Sequence, residues 1–413
     1  MRKFNFNIDD WTGGNTIGND MGNTVGSTVD IPLFSIKSYN KYDKFMFTKN
    51  NEIPLVVDWG DGEVETFTTK GEYTHSYKGN NSNYLNITFS SSANLAKETK
   101  GIEDVSFISL HDNITDFTIL ENTLDTIYNY IDFNENDYMI KNLIIDKCTN
   151  KTTIGKYALS FINIASDIVL PYHIKYIDEE CFSNSKFHGK FTIPHELIQI
   201  GKRPFYNLYV LDNFVLPQTK TIKAGMYESL GVKQHLVIPD TVEVIEDGAF
   251  ESLGFDVRIQ FSKNLKYIGK RAFRYGDLDA YELIFNEGLV EIDDEAFCKM
   301  WIGHDLRFPP SVKRIGQQAF RRCKNIDNVV FNEGLVEIDN EAFIECPYIG
   351  NIILPESVKR VGEKVFTESK NPINKRVIYI CEDTDFDINN MIDYKNGSTQ
   401  IMVYKRGEKP KIN

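Results

Sequence analysis

The sequence repeats itself with a period of about 23 residues over more than half of its 413 positions. Residues 283–297 and 329–343 are near copies of each other, and a second shared pattern surrounds Pro309 and Pro355. A unit of this length provides one coil of short extended segments and turns, but it cannot bury its own apolar face. The period therefore predicts coils stacked into a solenoid.

Two apolar positions fix the register of the repeat. An aromatic or leucine ends each unit, at spacings of 22 to 24 residues: Leu159, Phe182, Phe205, Tyr227, Phe250, Phe273, Phe297, Phe320, Phe343 and Phe366. A β-branched residue stands five positions earlier: Ile154, Ile177, Ile200, Ile222, Ile245, Ile268, Ile292, Ile315, Ile338 and Val361. At a strand spacing of about 4.8 Å, ten coils predict a rod roughly 45 to 50 Å long with both positions in ladders through one core.

The position after each β-branched residue is mostly glycine or acidic: Gly155, Asp178, Gly201, Lys223, Glu246, Gly269, Asp293, Gly316, Asp339 and Gly362. Glycine permits a change of backbone direction, and aspartate caps helix N-termini. We expect a short helical turn to open here.

The pattern of a strand, Pro, Val-x-x-Ile-Gly-x-x-Ala-Phe-x-x-Cys resembles the BspA-type leucine-rich repeats of bacterial surface proteins. The residues that carry the match include Ile238, Pro239, Val242, Ile245, Ala249 and Phe250, and later Ile315, Gly316, Ala319, Phe320 and Cys323. The resemblance covers about residues 150–366 and implies the fold more than the activity. In the early repeats Pro204 and Met226 replace the alanine of this pattern, and Tyr227 replaces the phenylalanine. We therefore expect the early coils to be irregular.

Residues 31–100 have short alternating segments (44–48, 54–58, 63–68 and 84–89) separated by Asn and Gly turns, which indicates antiparallel strands. The Trp59-Gly60-Asp61-Gly62 turn and the His75-x-Tyr77 segment resemble a PKD domain, which implies an immunoglobulin-like β-sandwich. The predicted fold class is therefore β-dominated: an immunoglobulin-like β-sandwich followed by a leucine-rich-repeat solenoid of about ten 23-residue coils.

The chain divides into five predicted parts. They are a Gly/Asn-rich arm at 1–30, the PKD-like sandwich at 31–100, an adapter and solenoid N-cap at 101–150, the solenoid at 151–366, and a C-terminal cap and tail at 367–413, with final strands at 377–380 and 400–404.

No catalytic or cofactor motif stands out, and the seven histidines (His75, His111, His173, His188, His195, His235 and His304) lack metal-ligand spacing. His111-Asp112 and Glu179-Glu180 are interpreted as solvated charges rather than an acid and base pair. Asp58 and Asp61 fit either a calcium loop or, as we favour, an Asp-Gly turn. Cys323 and Cys346 stand at equivalent positions of adjacent repeats, so their side chains should lie close together, either as a disulfide or as a ladder of reduced thiols. We expect a protein without catalytic activity, cofactor or metal.

Net charge and hydropathy limit the kinds of partner that we expect. With 59 acidic against 46 basic residues and a formal net charge of −13, nucleic acid is not an expected partner. No apolar run approaches the roughly 20 residues that cross a bilayer, so membrane insertion is not expected, and the first residues do not read as a secretory signal.

Strand alternation predicts one candidate binding surface. The outward column comprises Val169, Thr192, Val215, Val237, Gln260, Ile284, Arg307, Val330 and Ile353. Its polar neighbours are Asp167, Lys190, Asn213, His235, Arg258, Glu282, Asp305, Asn328 and Asn351. An apolar stripe with a polar rim suggests a partner contact, whereas strand propensity alone also favours Val and Ile.

Three functions follow as hypotheses. The first is a structural or receptor-binding component of a bacteriophage virion, with virion neighbours or a host surface protein as partners. Both recognisable modules resemble extracellular modules although the sequence shows no export signal, and a virion role reconciles these two observations. The second is a bacterial cell-surface or secreted adhesin that binds a host protein or glycan. The third, a glycan-acting enzyme, needs two carboxylates about 5 to 10 Å apart in a cleft, and no such pair is distinguished.

Overall fold

The computed structural model of the protein describes residues 31–39, 44–49, 52–77, 84–91, 105–107, 114–120, 126–127, 131–132, 139–145, 151–254, 257–276, 283–302, 305–347, 349–367, 376–392, 399–408 and 410. The described part is β-dominated, with strands and turns and one short 3-10 turn at Ile388–Asn390.

Two sheets meet in the N-terminal part. Strands β1 (Ile31–Tyr39), β3 (Leu55–Asp58), β4 (Val64–Phe67), β6 (Tyr84–Ser91) and β8 (Ile114–Ile119) lie in the order β8-β1-β6-β3-β4, and all four of their pairings are antiparallel. Strands β2 (Lys44–Lys49), β5 (Gly71–Ser76), β7 (Val105–Phe107) and β10 (Ile131–Asp132) form a second sheet in the order β10-β7-β2-β5. Aromatic side chains from both sheets fill one core: Phe47 lies 5.8 Å from Phe89 and 6.0 Å from Trp59, measured between ring centroids.

The first of these sheets runs without interruption into the solenoid. Strand β8 pairs antiparallel with β1 on one side and parallel with β11 (Met139–Ile144) on the other. From β11 the sheet continues in parallel through β13 (Asn163–Ile164), β16 (Lys186–Phe187), β19 (Tyr209–Val210) and β22 (Gly231–Val232). Strand β8 is thus the place where the pairing changes from antiparallel to parallel.

A second side of the solenoid carries the β-branched ladder. Its first sheet contains β9 (Thr126–Ile127), β12 (Thr153–Ile154), β15 (Tyr176–Ile177) and β18 (Gln199–Ile200). Its second contains β21 (Thr221–Ile222), β24 (Val244–Ile245), β26 (Tyr267–Ile268), β27 (Glu291–Ile292), β29 (Arg314–Ile315), β31 (Glu337–Ile338) and β33 (Arg360–Val361). Each predicted Ile pairs with its counterpart one coil away, except between Ile200 and Ile222, where the two sheets divide. Ile127 adds a coil to the backbone register, upstream of the ten predicted from the sequence.

A third side carries the outward column. Its strands are β14 (Ile168–Val169), β17 (Phe191–Thr192), β20 (Phe214–Val215), β23 (Gln234–Val237), β25 (Val257–Gln260), β28 (Leu306–Arg307), β30 (Val329–Val330), β32 (Ile352–Ile353), β34 (Arg376–Cys381) and β35 (Thr399–Tyr404). The last two overlap the strands predicted at 377–380 and 400–404.

Stacked rings fill the solenoid interior. From Phe182 to Phe366 the ring at the predicted anchor position lies parallel to the next, with centroids 5.1 to 5.7 Å apart and planes within 4° to 18°. A second stack runs through Phe261, Phe285, Phe308 and Phe331. All of these side chains are buried, so the prediction of a laddered core is confirmed.

The turn before each anchor aromatic differs from the expected helical turn. Ala296, Cys298 and Met300 donate backbone hydrogen bonds to residues three positions earlier, while Glu295 and Lys299 donate to carbonyls of the next coil. Glu295 and Lys299 adopt positive φ of 55° and 62°, and the same pair of positions is left-handed in coil after coil. A positive φ at the third residue is typical of a type II turn, so linked turns replace the predicted helical one.

Candidate functional site

The candidate surface is the outward strand column, and the structure places its nine residues in three runs. Val169, Thr192 and Val215 pair directly across β14, β17 and β20, and Val237 pairs with Gln260. Ile284 bridges to Arg307, which pairs with Val330 and then Ile353. Within each run the coil register brings the predicted residues side by side on the solenoid wall.

Exposure along the column is uneven. Val169, Val237 and Ile284 are 65%, 49% and 63% exposed, which is high for β-branched apolar side chains. Thr192, Val215, Val330 and Ile353 are half-buried, and Gln260 and Arg307 are exposed polar interruptions. The column is therefore apolar at six of its nine positions and polar at Thr192, Gln260 and Arg307.

Several polar neighbours of the column form hydrogen bonds between successive coils. Asp167 Oδ1 accepts the backbone N–H of Lys190 at 2.9 Å, and Asn351 Oδ1 accepts that of Val377 at 2.8 Å. Asn328 donates to Asp305 Oδ1 at 2.8 Å, and Arg307 forms an ion pair with the same aspartate. These side chains link successive coils, so the rim is held in place. Glu282 lies outside the described residues.

The column continues two strands beyond the last residue predicted from the sequence. Ile353 pairs with Tyr379 of β34, and Tyr379 pairs with Met402 of β35. Met402 is 49% exposed, and its neighbour Val403 is 61% exposed. The two final strands were predicted as a cap, and continuing the strand alternation through them would have found this extension.

An ion-pair ladder lies on the β-branched side of the solenoid. Glu291, Arg314, Glu337 and Arg360 pair in consecutive coils, so opposite charges alternate along the ladder. Arg314 lies 2.7 Å from Glu291 Oε1, 3.2 Å from Asp293 Oδ1 and 2.6 Å from Asp339 Oδ2. Burial raises the pKa of Asp293, but hydrogen bonds from Tyr267, the Asp294 backbone and Arg314 outweigh it and leave that pKa lowered. Asp293 and Asp339, which occupy the acidic repeat position, therefore stabilise stacking as ion-pair partners of Arg314.

The Asp58–Gly62 turn uses its carboxylates for backbone contacts. Asp58 Oδ1 accepts the N–H of Gly60 at 2.9 Å, and Asp61 Oδ1 accepts that of Glu63 at 3.0 Å. Gly60 has a φ of 76°, and an added Cβ would lie 2.4 Å from the Asn86 carbonyl oxygen. This geometry is that of a tight turn, the favoured interpretation, rather than of two carboxylates directed at a common cation. Asp61 Oδ2 instead contacts the His75 ring.

The other candidate groups stay apart. Glu179 forms a 2.8 Å ion pair with Lys156, which lowers the pKa of this half-buried carboxyl, and Glu180 has a left-handed backbone conformation. His111, Asp112 and Cys148 lie outside the described residues. Cys323 and Cys346 are free thiols that donate to the carbonyls of Phe297 and Phe320, each at 3.0 Å. Of the two alternatives for this cysteine pair, the structure has the reduced ladder.

Comparison with known proteins identifies the class. The chain matches the family described as BspA type leucine-rich repeat region, with six copies of the repeat over residues 76–186, 133–255 and 256–373. The chain therefore belongs to that family. Its solenoid is a fold that typically serves non-enzymatic roles. No curated protein matches the chain. Among the described residues, no helix is long and apolar enough to cross a membrane.

Three solved structures are similar to this chain. A leucine-rich repeat protein from Bacteroides ovatus is 15% identical, with a TM-score of 0.43 over 76% of this chain and 97% of that one. A leucine-rich repeat protein from Eubacterium ventriosum is 15% identical, with a TM-score of 0.33 over 66% and 68%. The pneumococcal vaccine antigen PcpA is 13% identical, with a TM-score of 0.35 over 71% and 85%.

Proposed function

We propose that the chain is a non-enzymatic binding protein that presents the outward strand column to a protein or glycan partner. One observation carries the proposal: Val169, Val237 and Ile284 keep about half or more of their surface exposed on a wall whose coils are otherwise fixed in register. Exposed apolar side chains with a polar rim are typical of contact sites. Strand propensity explains a β-branched residue at these positions, but it does not require the exposure.

The setting we favour is the bacterial cell surface, with a host protein or glycan as partner. Membership of the BspA-type family supports this, because the resemblance implies bacterial surface proteins. The virion role gains no support from the family match. It stays as the second candidate on the sequence features that suggested it, and deletion of residues 1–30 tests it: a virion component would lose particle incorporation while keeping a folded solenoid.

We also propose that the N-terminal sheets form an immunoglobulin-like sandwich of the PKD type. The support lies in Trp59, which is fully buried beneath the Asp58–Gly62 turn, and in Tyr77, whose hydroxyl donates to the Trp59 carbonyl at 3.4 Å.

The proposed binding role is tested with two matched double variants. Val237→Lys with Ile284→Lys places charge in the column, whereas Ile198→Lys with Val336→Lys places it at exposed apolar residues on the β-branched side. Each variant and the unmodified chain are titrated against arrays of extracellular proteins and glycans. We expect a saturable ligand whose affinity falls at least tenfold for the column variant and stays within twofold for the control. Equal loss in both variants, or unchanged binding in the column variant, contradicts the proposal.

A further inference from the structure

A second site lies where the two N-terminal sheets meet. Strand β4 ends one sheet and β5 ends the other. Asp61 and Glu63 lie in the turn that leads into β4, Glu65 lies within β4, and His75 lies on β5. Their side chains converge across the open seam between the sheets, although no pairing joins the two strands within the described residues.

The histidine is held in a fixed orientation. His75 is 3% exposed, and its ring stacks on Trp59 with centroids 4.4 Å apart and planes within 10°. Tyr77 contacts the ring edge-on at 4.7 Å. These contacts fix the orientation of the buried imidazole. The groups that face its two nitrogens therefore determine what the site can bind.

Both ring nitrogens face carboxylates. Nε2 lies 2.9 Å from Asp61 Oδ2, whereas Nδ1 lies 3.2 Å from Glu65 Oε1 and 4.0 Å from Glu63 Oε2. A neutral imidazole has one N–H to donate. If Nε2–H is donated to Asp61, the Nδ1 lone pair faces two carboxylates, and either a second ring proton or a cation among the three groups is needed to relieve the repulsion.

The donor set fits a transition-metal ion. The ligand atoms of Glu63, Glu65 and His75 lie within 4.8 Å of one another. Zn²⁺ binds imidazole nitrogen and carboxylate oxygen at about 2.0 to 2.2 Å, so the cluster needs only a small inward movement. Glu63 and Glu65 retain 54% and 45% of their side-chain exposure, which leaves the site open to solvent, and Glu65 Oε1 also accepts the Nε1–H of Trp59 at 3.1 Å. Calcium and magnesium prefer oxygen ligands, so the imidazole disfavours them.

We propose that His75 Nδ1, Glu63 and Glu65 bind one divalent ion of the zinc class, with water in the fourth position. Asp61 is the positioning residue: it accepts the Nε2–H and fixes the ring, as outer carboxylates do for zinc-bound histidines. The ion would tie the edge of one sheet to the edge of the other. This site is independent of the outward column.

Calorimetric titration of the metal-free full chain with zinc chloride tests the proposal. Glu63→Gln and Glu65→Gln remove ligands at exposed positions, so both variants should fold. Glu72→Gln is the matched control, because Glu72 is an exposed residue of the same strand β5 and the substitution removes the same charge. Asp61→Asn tests the positioning role. X-ray absorption at the zinc edge then reports the ligands of the bound ion.

We expect one equivalent of zinc, at least tenfold weaker binding for Glu63→Gln and Glu65→Gln, a roughly 10- to 100-fold loss for Asp61→Asn, and a change of less than twofold for Glu72→Gln. The absorption spectrum should show imidazole nitrogen and oxygen ligands. Absence of stoichiometric binding, equal affinity in the ligand variants and the unmodified chain, or sulfur ligands at about 2.3 Å would overturn the assignment.

Discussion

Replacing one ring in the middle of the anchor stack should cost more stability than replacing one at its end. Phe320 is fully buried, parallel to Phe297 at 5.2 Å and to Phe343 at 5.1 Å, and Phe308 meets it edge-on at 5.5 Å. Phe366 is equally buried, but among the described residues it has one ring partner, Phe343 at 5.7 Å. The two sites thus differ by two ring pairs at equal burial.

The magnitudes follow from burial and pairing. A buried Phe→Ala change loses about 3 to 5 kcal/mol through lost transfer free energy and the cavity left behind. Each aromatic pair contributes about 0.5 to 1.5 kcal/mol beyond burial. We therefore expect Phe320→Ala to destabilise the protein by about 1 to 3 kcal/mol more than Phe366→Ala. Phe320→Leu, which keeps most of the apolar volume, should fall well below Phe320→Ala.

The assay combines urea unfolding with amide hydrogen exchange. Because coils contact mainly their neighbours, the loss of protection in Phe320→Ala should concentrate in the coils on either side and weaken toward residue 160. Equal losses for Phe320→Ala and Phe366→Ala would refute the pairing argument. A uniform loss of protection along the whole chain would refute the stacked-coil reasoning.

Three further predictions follow from close contacts and charge. Gly316→Ala should lower the free energy of unfolding by about 1 to 3 kcal/mol, because the added Cβ would lie 2.5 Å from the Asp293 carbonyl carbon. Gly254→Ala is the control and should be near neutral, because an added Cβ there has nothing within 4 Å. Equal urea midpoints for the two variants would contradict this. Burial raises the pKa of the Cys346 thiol from 9.0 to about 12, so the unfolded chain ionises first, and this contribution to stability is complete below pH 9 and lost as pH rises toward 12. Cys346→Ala should make the alkaline decline of thermal stability shallower, and an unchanged slope would show that the thiol is not responsible. Arg314→Met should lose about 1 to 3 kcal/mol at low salt and less at about 1 M salt, which screens the ion pairs; a loss independent of salt would point to packing instead.

The ladder positions could be predicted from the sequence because burial repeats them at the same phase in every coil. The turn conformation could not. Glu295 and Lys299 are ordinary residues with no local preference for positive φ, and they adopt it because their N–H groups reach carbonyls of the next coil. Stacking thus overrides local propensity, and it does so at the same two positions of each repeat.

Contacts between different sheets were likewise beyond sequence reasoning. His75 and Glu65 stand ten positions apart, on strands that belong to different sheets, so no spacing rule relates them. The parallel pairing of β8 with β11 also escaped prediction, because it depends on long-range register. The register of the nine outward residues could be predicted, since strand alternation and the repeat period determine it together, but their continuation through Tyr379 and Met402 was not predicted.

Cysteine cross-linking tests most directly whether the coils lie in this register. Val330 and Ile353 are directly paired on neighbouring strands, whereas Ile284 and Val330 are separated by the strand that carries Arg307. Paired strands lie about 4.8 Å apart, within the reach of a disulfide, and strands two steps apart do not. Oxidation of Val330→Cys/Ile353→Cys should give an intramolecular disulfide in high yield, and Ile284→Cys/Val330→Cys should remain reduced. Equal yields from the two variants, or a higher yield from the second, would contradict the stacked solenoid.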